Sequence, residues 1–204
     1  MNARNNFFIG PAGVFLILTT LTLSILIAGC KGKESYRKEL ERKGVSYSTE
    51  SFLNRAGIGD MQSVELFLKS GFDVNARGDS GETALMMAAA NNKLEILKFL
   101  IKKRSDINAK TNEGYTALMF VSSKGNAALI KLLIEEEADI NAKNNEGETA
   151  LMLASLNDKI EAVKLLIEKG ADINARNNKG ETALQYAFLN SRIAELLKKA
   201  GAEK

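Results

Sequence analysis

The sequence predicts an all-α solenoid of about five helix-turn-helix units, each 33 residues long and joined by β-hairpin-like loops. Three observations carry that prediction. Thr-Ala-Leu-Met stands at Thr83–Met86, Thr116–Met119 and Thr149–Met152, with Thr-Ala-Leu-Gln at Thr182–Gln185. A glycine stands two places before each threonine, at Gly81, Gly114, Gly147 and Gly180. Asp-x-Asn-Ala keeps the same beat from Asp73, Asp106, Asp139 and Asp172. A fixed period of this kind marks units that bury their apolar faces only by stacking on neighbours.

The chain opens with Phe7–Gly29, an uncharged run of 23 residues preceded by Arg4. A positive start and an apolar stretch fit a secretory signal over residues 1–29. The run is also long enough to span a bilayer. Leu26-Ile27-Ala28-Gly29-Cys30 resembles the bacterial lipoprotein box, in which the cysteine becomes the acylated mature N-terminus. That resemblance implies lipidation at Cys30, with several acyl chains contributing about 0.8 kcal/mol per buried CH₂. It places the protein in a bacterial cell envelope. Lys31 follows the cysteine, where the enteric lipoproteins it resembles carry Asp for inner-membrane retention; the outer membrane and the periplasmic face of the inner membrane both stay open. The alternative is an uncleaved transmembrane anchor. Lys31, Lys33, Arg37 and Lys38 after the run would then hold the repeats in the cytoplasm as a membrane-recruited scaffold.

Residues 30–47 follow as a charged tether, with six basic and three acidic side chains from Lys31 to Tyr47. It reads as a solvated spacer with a helical ion pair between Glu39 and Lys43. Extended, these 17 residues reach at most about 60 Å. Attraction to anionic headgroups is the functional alternative.

The repeat domain spans 48–204, in units 48–80, 81–113, 114–146, 147–179 and 180–204. In the first, Phe52 stands where the repeat leucine falls and Gly59 where Gly125 falls. Each repeat threonine is placed as an N-cap, followed by core leucines Leu85, Leu118, Leu151 and Leu184. Ala88, Ala154 and Ala187 permit close helix approach. Second helices read apolar, as at Leu94, Ile96, Leu97, Phe99, Leu100 and Ile101. The Asp and Asn of each Asp-x-Asn can fix the turn that follows. Gly170 ends one second helix in the left-handed conformation it tolerates. Arg104 and Glu137 stand at that position in their units, which should be softer by about 1 kcal/mol each. The fifth unit is two residues short between Thr182 and Gly201, as a capping unit can be.

These residues are similar to ankyrin repeats. The family phrase Gly-x-Thr-Pro-Leu-His-x-Ala-Ala, then a second helix, then Gly-Ala-Asp-Val-Asn-Ala, is matched by Gly147-Glu-Thr-Ala-Leu-Met-Leu-Ala-Ser, Ile160–Glu168 and Gly170-Ala-Asp-Ile-Asn-Ala. The chain departs from it at Ala84, Ala117, Ala150 and Ala183, where the family has Pro. It departs again at Met86, Met119, Met152 and Gln185, where the family has His, so the Thr–His hydrogen bond is lost.

The resemblance implies a protein-protein interaction module whose partner meets the hairpin tips and the concave first-helix face. Carried onto this chain, the partner-binding positions are Asp79, Ser80 and Glu82; Asn112, Glu113 and Tyr115; Asn145, Glu146 and Glu148; and Asn178, Lys179 and Glu181. Tyr115 breaks a column of Glu82, Glu148 and Glu181 and, as an exposed tyrosine in a polar strip, is the hot-spot candidate. Ser123, Lys124, Leu156 and Asn157 could extend the face. The acidic column points to a basic or polar partner surface.

Composition argues against other classes. With no histidine there is no imidazole base or ligand, and Cys30 alone allows no internal disulfide or cysteine-rich zinc site. Net charge is +3 overall, and Arg4 with the tether carries more than all of it, so the repeats offer no nucleic-acid footprint. Met86, Met119 and Met152 read as core filling rather than a metal ladder, because stacked positions lie about 10 Å apart. Asp139-Ile-Asn141-Ala-Lys143 resembles the start of a calcium loop, but Lys143 occupies a ligand position and repels the ion. Gly57-Ile58-Gly59 lacks the strand and third glycine of a dinucleotide loop. The expectation is a monomeric binding protein with a protein partner, and with no catalytic role, cofactor, metal or small-molecule substrate.

Overall fold

The computed structural model describes Gly29, residues 32–187 and residues 191–203. The apolar run up to Ala28, expected to be a signal peptide, and Cys30, the expected lipidation position, lie outside the described residues. Among the described residues there are helices and turns but no strand, and none of these helices is long and apolar enough to cross a membrane.

The repeat threonines start the first helices as the sequence predicts. Thr83, Thr116 and Thr149 are extended, and each Oγ1 accepts a hydrogen bond from the amide of Met86, Met119 or Met152 at 3.3–3.4 Å. In the last unit Gln185 reaches back instead, its Oε1 accepting from the Thr182 amide at 2.6 Å. These caps open α4 (Ala84–Ala90), α6 (Ala117–Lys124), α8 (Ala150–Leu156) and α10 (Ala183–Tyr186). Ser48 caps α2 (Thr49–Ile58) in the first unit. The second helices are α3 (Met61–Lys69), α5 (Leu94–Lys102), α7 (Ala127–Glu135), α9 (Ile160–Glu168) and α11 (Ser191–Lys199).

First helices stack in order, α2 on α4, α4 on α6, α6 on α8 and α8 on α10. Each second helix packs against its own first helix, and α7, α9 and α11 follow one another in the outer layer. Between the layers lie Leu85, Leu118 and Leu151 with Met86, Met119 and Met152, none more than 1% exposed. The methionines therefore fill core, as predicted. Their flexible thioethers suit the space left where the family carries His.

The tether is a correction. Residues 32–42 form a helix, α1, which belongs to the fold. Leu40 is fully buried and Val45 is 3% exposed. The Val45 amide bonds the Leu40 carbonyl at 2.9 Å, across Gly44 at φ +69°. Every second helix ends the same way: Phe72 to Phe67, Ser105 to Leu100, Ala138 to Leu133, Ala171 to Leu166 and Ala202 to Leu197. This 6→1 bond across a left-handed residue is the Schellman ending. α1 is thus the second helix of a half-unit that covers the N-terminal end of the stack. It seats on an aromatic cluster in which Tyr47 meets Phe67 at 5.5 Å and Phe72 at 5.2 Å. The Arg37 guanidinium lies 4.4 Å over the Tyr47 ring. The expected Glu39–Lys43 pair does not form: Glu39 pairs with Arg42 at 2.9 Å, while Lys43 Nζ donates to Gln62 on α3 at 2.8 Å. Docking on α3 redirects Lys43.

Polar ladders tie the turns together. In each Asp-x-Asn, the Asp carboxylate accepts from the Asn amide within its own turn, as Asn108 to Asp106 at 3.0 Å. The Asn then reaches the next unit, with Asn75, Asn108 and Asn141 Oδ1 each accepting from the amide of Asp106, Asp139 or Asp172 at 2.8 Å. Lys110 and Lys143, at the would-be calcium position, donate to the carbonyls of Lys143 and Arg176. Their ammonium groups are committed to stacking.

Arg104 and Glu137 do occupy the left-handed region, at φ +62° and +66°, where sister units have Gly71 and Gly170. Both side chains are exposed. Arg104→Gly and Glu137→Gly are each expected to raise stability by about 0.5–1 kcal/mol, the relieved backbone strain less the entropy of a freer unfolded chain. Urea denaturation of single and double variants checks this, and a loss of stability in either would contradict it.

Candidate functional site

Stacking turns every repeated position into a row along the first-helix layer. Met87, Phe120, Leu153 and Tyr186 form one row, each one residue past a buried Met or Gln185. Three are half-buried and Leu153 is 7% exposed. Beside it run Glu82, Tyr115, Glu148 and Glu181 from the hairpins, and Ala90, Ser123 and Leu156 near the helix ends. Leu156, at 50% exposed, is one of three large apolar side chains more than a third exposed among the described residues, with Tyr36 and Ile58. Two clefts open on this layer. One, of about 310 Å³, is lined by Glu148, Leu156, Glu181, Gln185 and Tyr186. The other, of about 520 Å³, lies in the first two units and includes Leu53, Asn54, Glu82 and Met87.

The hairpins divide the predicted tip residues by task. Asp79, Ser80, Glu113, Glu146 and Lys179 are exposed, as expected. Asn112, Asn145 and Asn178 are exposed too, but their side-chain amides donate to the carbonyls of Asp79, Asn112 and Asn145 at 2.8–2.9 Å. Their backbone amides bond Ser80, Glu113 and Glu146 of the preceding hairpin. These three asparagines join unit to unit, so a partner would meet side chains already in use.

Tyr115 is not the exposed side chain that was expected. It is half-buried and stacks on Phe120, with centroids 5.8 Å apart and planes at 27°. Burial pushes its phenol above the usual tyrosine range, and the carboxylates of Glu148, Glu146 and Glu113 add to the rise. Tyr115 and Phe120 together make an aromatic plate at the middle of the face.

Glu148 is likewise corrected from a solvated tip to a buried group, 7% exposed. Its Oε2 accepts from Asn144 Nδ2 at 2.8 Å and its Oε1 from the Tyr186 hydroxyl at 2.6 Å. Glu181, half-buried, repeats the pattern one unit on: Oε2 accepts from Asn177 Nδ2 at 2.9 Å. Asn144 and Asn177 also accept from the amides of Glu148 and Glu181, which closes each hairpin. Burial, then the hydrogen bond to Glu148, pushes the Tyr186 phenol up to about 12. Glu82 has no such support, because Gly78 stands where the others have Asn. Its Oε2 is buried without a hydrogen-bond partner.

Sequence reasoning missed Asn144, Asn177, Phe120 and Tyr186. The signal was available, since each lies at a fixed offset from the repeat threonine. Among the described residues no three Cys, Asp or Glu side chains converge to hold a metal ion.

A search of curated proteins finds no match. The family model described as ankyrin repeats (3 copies) matches residues 54–144 and 118–204, nearly all of the stack from α2 onward. Ankyrin repeats are in general modules that bind other proteins rather than enzymes. The capped threonines, stacked helix pairs and hairpin rows are the physical content of that match, and the chain belongs to the ankyrin-repeat family.

Proposed function

We propose that this is a bacterial lipoprotein, acylated at Cys30, whose first-helix face holds a protein partner at the cell envelope as an adaptor or inhibitor. The observation that supports the binding part is the aromatic and apolar row Met87, Phe120 and Tyr186, partly exposed along the first-helix layer beside Leu156, which is 50% exposed. Aromatic side chains in a polar rim supply large contact area at small entropic cost. The lipoprotein part rests on the sequence Leu26–Cys30 after an apolar run. The bound partner would be recognised by shape and charge, with no chemistry done on it.

Two measurements test the two parts. Intact mass of the membrane-extracted protein is expected to match a chain beginning at Cys30 plus acyl groups, and Cys30→Ser is expected to lose that species. A full-length mass, unchanged by the substitution, would replace the lipid with a transmembrane anchor. A photo-crosslinking residue at Phe120 is expected to give a discrete adduct in intact cells, and the same residue at Lys98 on the outer layer is not. Equal labelling from both positions would contradict a partner on the first-helix face.

A further inference from the structure

We propose that the cleft between units four and five receives a cationic side chain, Lys or Arg, of the protein partner, seated between the carboxylates of Glu148 and Glu181. This deepens the binding-module reading and rests on it.

A buried carboxylate needs either a countercharge or a full set of donors. Glu148 is more than nine-tenths buried and is held by two neutral donors, the Asn144 amide and the Tyr186 hydroxyl. Glu181 is held by a third, Asn177. The ion pairs of the described residues all lie elsewhere. Two acidic groups are therefore fixed at the wall of one cleft with geometry supplied and charge uncompensated. Burial first, then the hydrogen bond to Glu148, raises the Tyr186 phenol, and the charges of Glu148 and Glu181 add to the rise.

The rest of the lining suits a long basic side chain. Leu156 stands half-exposed at the rim and can cover an aliphatic stem, while Gln185 adds a polar group beside the acids. A cleft of about 310 Å³ accommodates a guanidinium with its stem but not a folded segment. Neutral N–H and O–H donors already aimed at the carboxylates would oppose a bare metal ion there, whereas guanidinium and ammonium bring donors of their own. The site is particular to this end of the stack. In unit three Tyr115 replaces the acid, and in unit two Gly78 replaces the asparagine that would hold Glu82 in the same way.

The probe is Nα-acetyl-arginine methylamide, titrated into the full chain in a neutral detergent and followed by the side-chain NMR signals of Gln185 and Tyr186. Saturable shifts confined to this cleft are expected. The neutral isostere Nα-acetyl-citrulline methylamide should bind about tenfold or more weakly, the loss expected when a charge-assisted hydrogen bond becomes a neutral one. Glu181→Gln should weaken arginine binding by a similar factor. Glu181 is half-buried, so the variant's amide spectrum checks that the fold is intact. The citrulline comparison on the unaltered chain needs no variant at all. Equal binding of arginine and citrulline, or binding unchanged in Glu181→Gln, overturns the cation site. An adduct from Phe120 in cells together with that result would leave the binding-module reading standing and discard only this one.

Discussion

Gly147→Ala is expected to cost about 3 kcal/mol, while Gly180→Ala at the same hairpin position of the next unit should cost only about 1 kcal/mol. Both glycines are left-handed, at φ +79° and +80°, so the backbone strain of an L-residue is common to the pair. Their surroundings differ. A Cβ on Gly147 would lie 2.8 Å from the Asn178 amide nitrogen and 2.7 Å from its Oδ1. It would push apart the two hairpins that the Asn178–Glu146 and Asn178–Asn145 hydrogen bonds join. A Cβ on Gly180 meets nothing within 4 Å, since none of the described residues packs a further hairpin against it. Urea denaturation of both variants gives the comparison directly. Equal costs would show that the hairpins slide apart freely and that the asparagine ladder does not set their spacing.

Leu40→Ala is expected to cost about 3 kcal/mol, within the range for a fully buried leucine whose cavity cannot collapse. A solvated spacer would predict no effect. Leu40 lies in the same row as Phe67, Leu100, Leu133, Leu166 and Leu197, all fully buried. Its loss opens a gap beside the Tyr47–Phe52–Phe67–Phe72 cluster, which otherwise presents a bare aromatic end to water. Tyr36→Ala, on the exposed side of the same helix at 37% exposure, should change stability by about 0.5 kcal/mol or less. Paired denaturation curves decide the matter. A neutral Leu40→Ala would mean that α1 merely leans on the stack.

The repeat period made the fold legible because the cap, the core leucine and the turn each recur at a fixed offset from the same threonine. α1 escaped the same reading for a definite reason. Leu40 precedes Phe67 by 27 residues rather than 33, and the six basic residues around it suggest solvent. The local signature was still there: Leu40 four places before Gly44 copies Leu166 before Gly170 and Leu197 before Gly201. The hairpin residues were harder. Asn112, Asn145 and Asn178 look like ordinary polar tips, and only the distance between adjacent units shows that their amides span it. Glu148 and Glu82 share a column, yet one is buried under Tyr186 from the next unit and the other lies over Gly78. Such differences arise between units, so no single repeat contains them. Tyr115 was singled out by residue type, and type alone could not show that Phe120, five residues on, would take up one of its faces.

The folding of α1 onto the first unit shortens the leash. With helix present from residue 32 onward, an acyl group on Cys30, as proposed, would be tied to a rigid body by at most about 7 Å of chain, where an extended spacer would have allowed about 60 Å. Five stacked units at about 10 Å each then put the Glu148–Glu181 cleft roughly 40 Å from the anchored end. Were Cys30 acylated as proposed, such a molecule would pivot but not wander, and its search volume would be a shallow dome over the bilayer. Within that dome an encounter is governed by a high local concentration and not by diffusion through the whole compartment. A partner that spends its time in or against the same membrane would meet the cleft readily, and one free in solution only when it strays to that height.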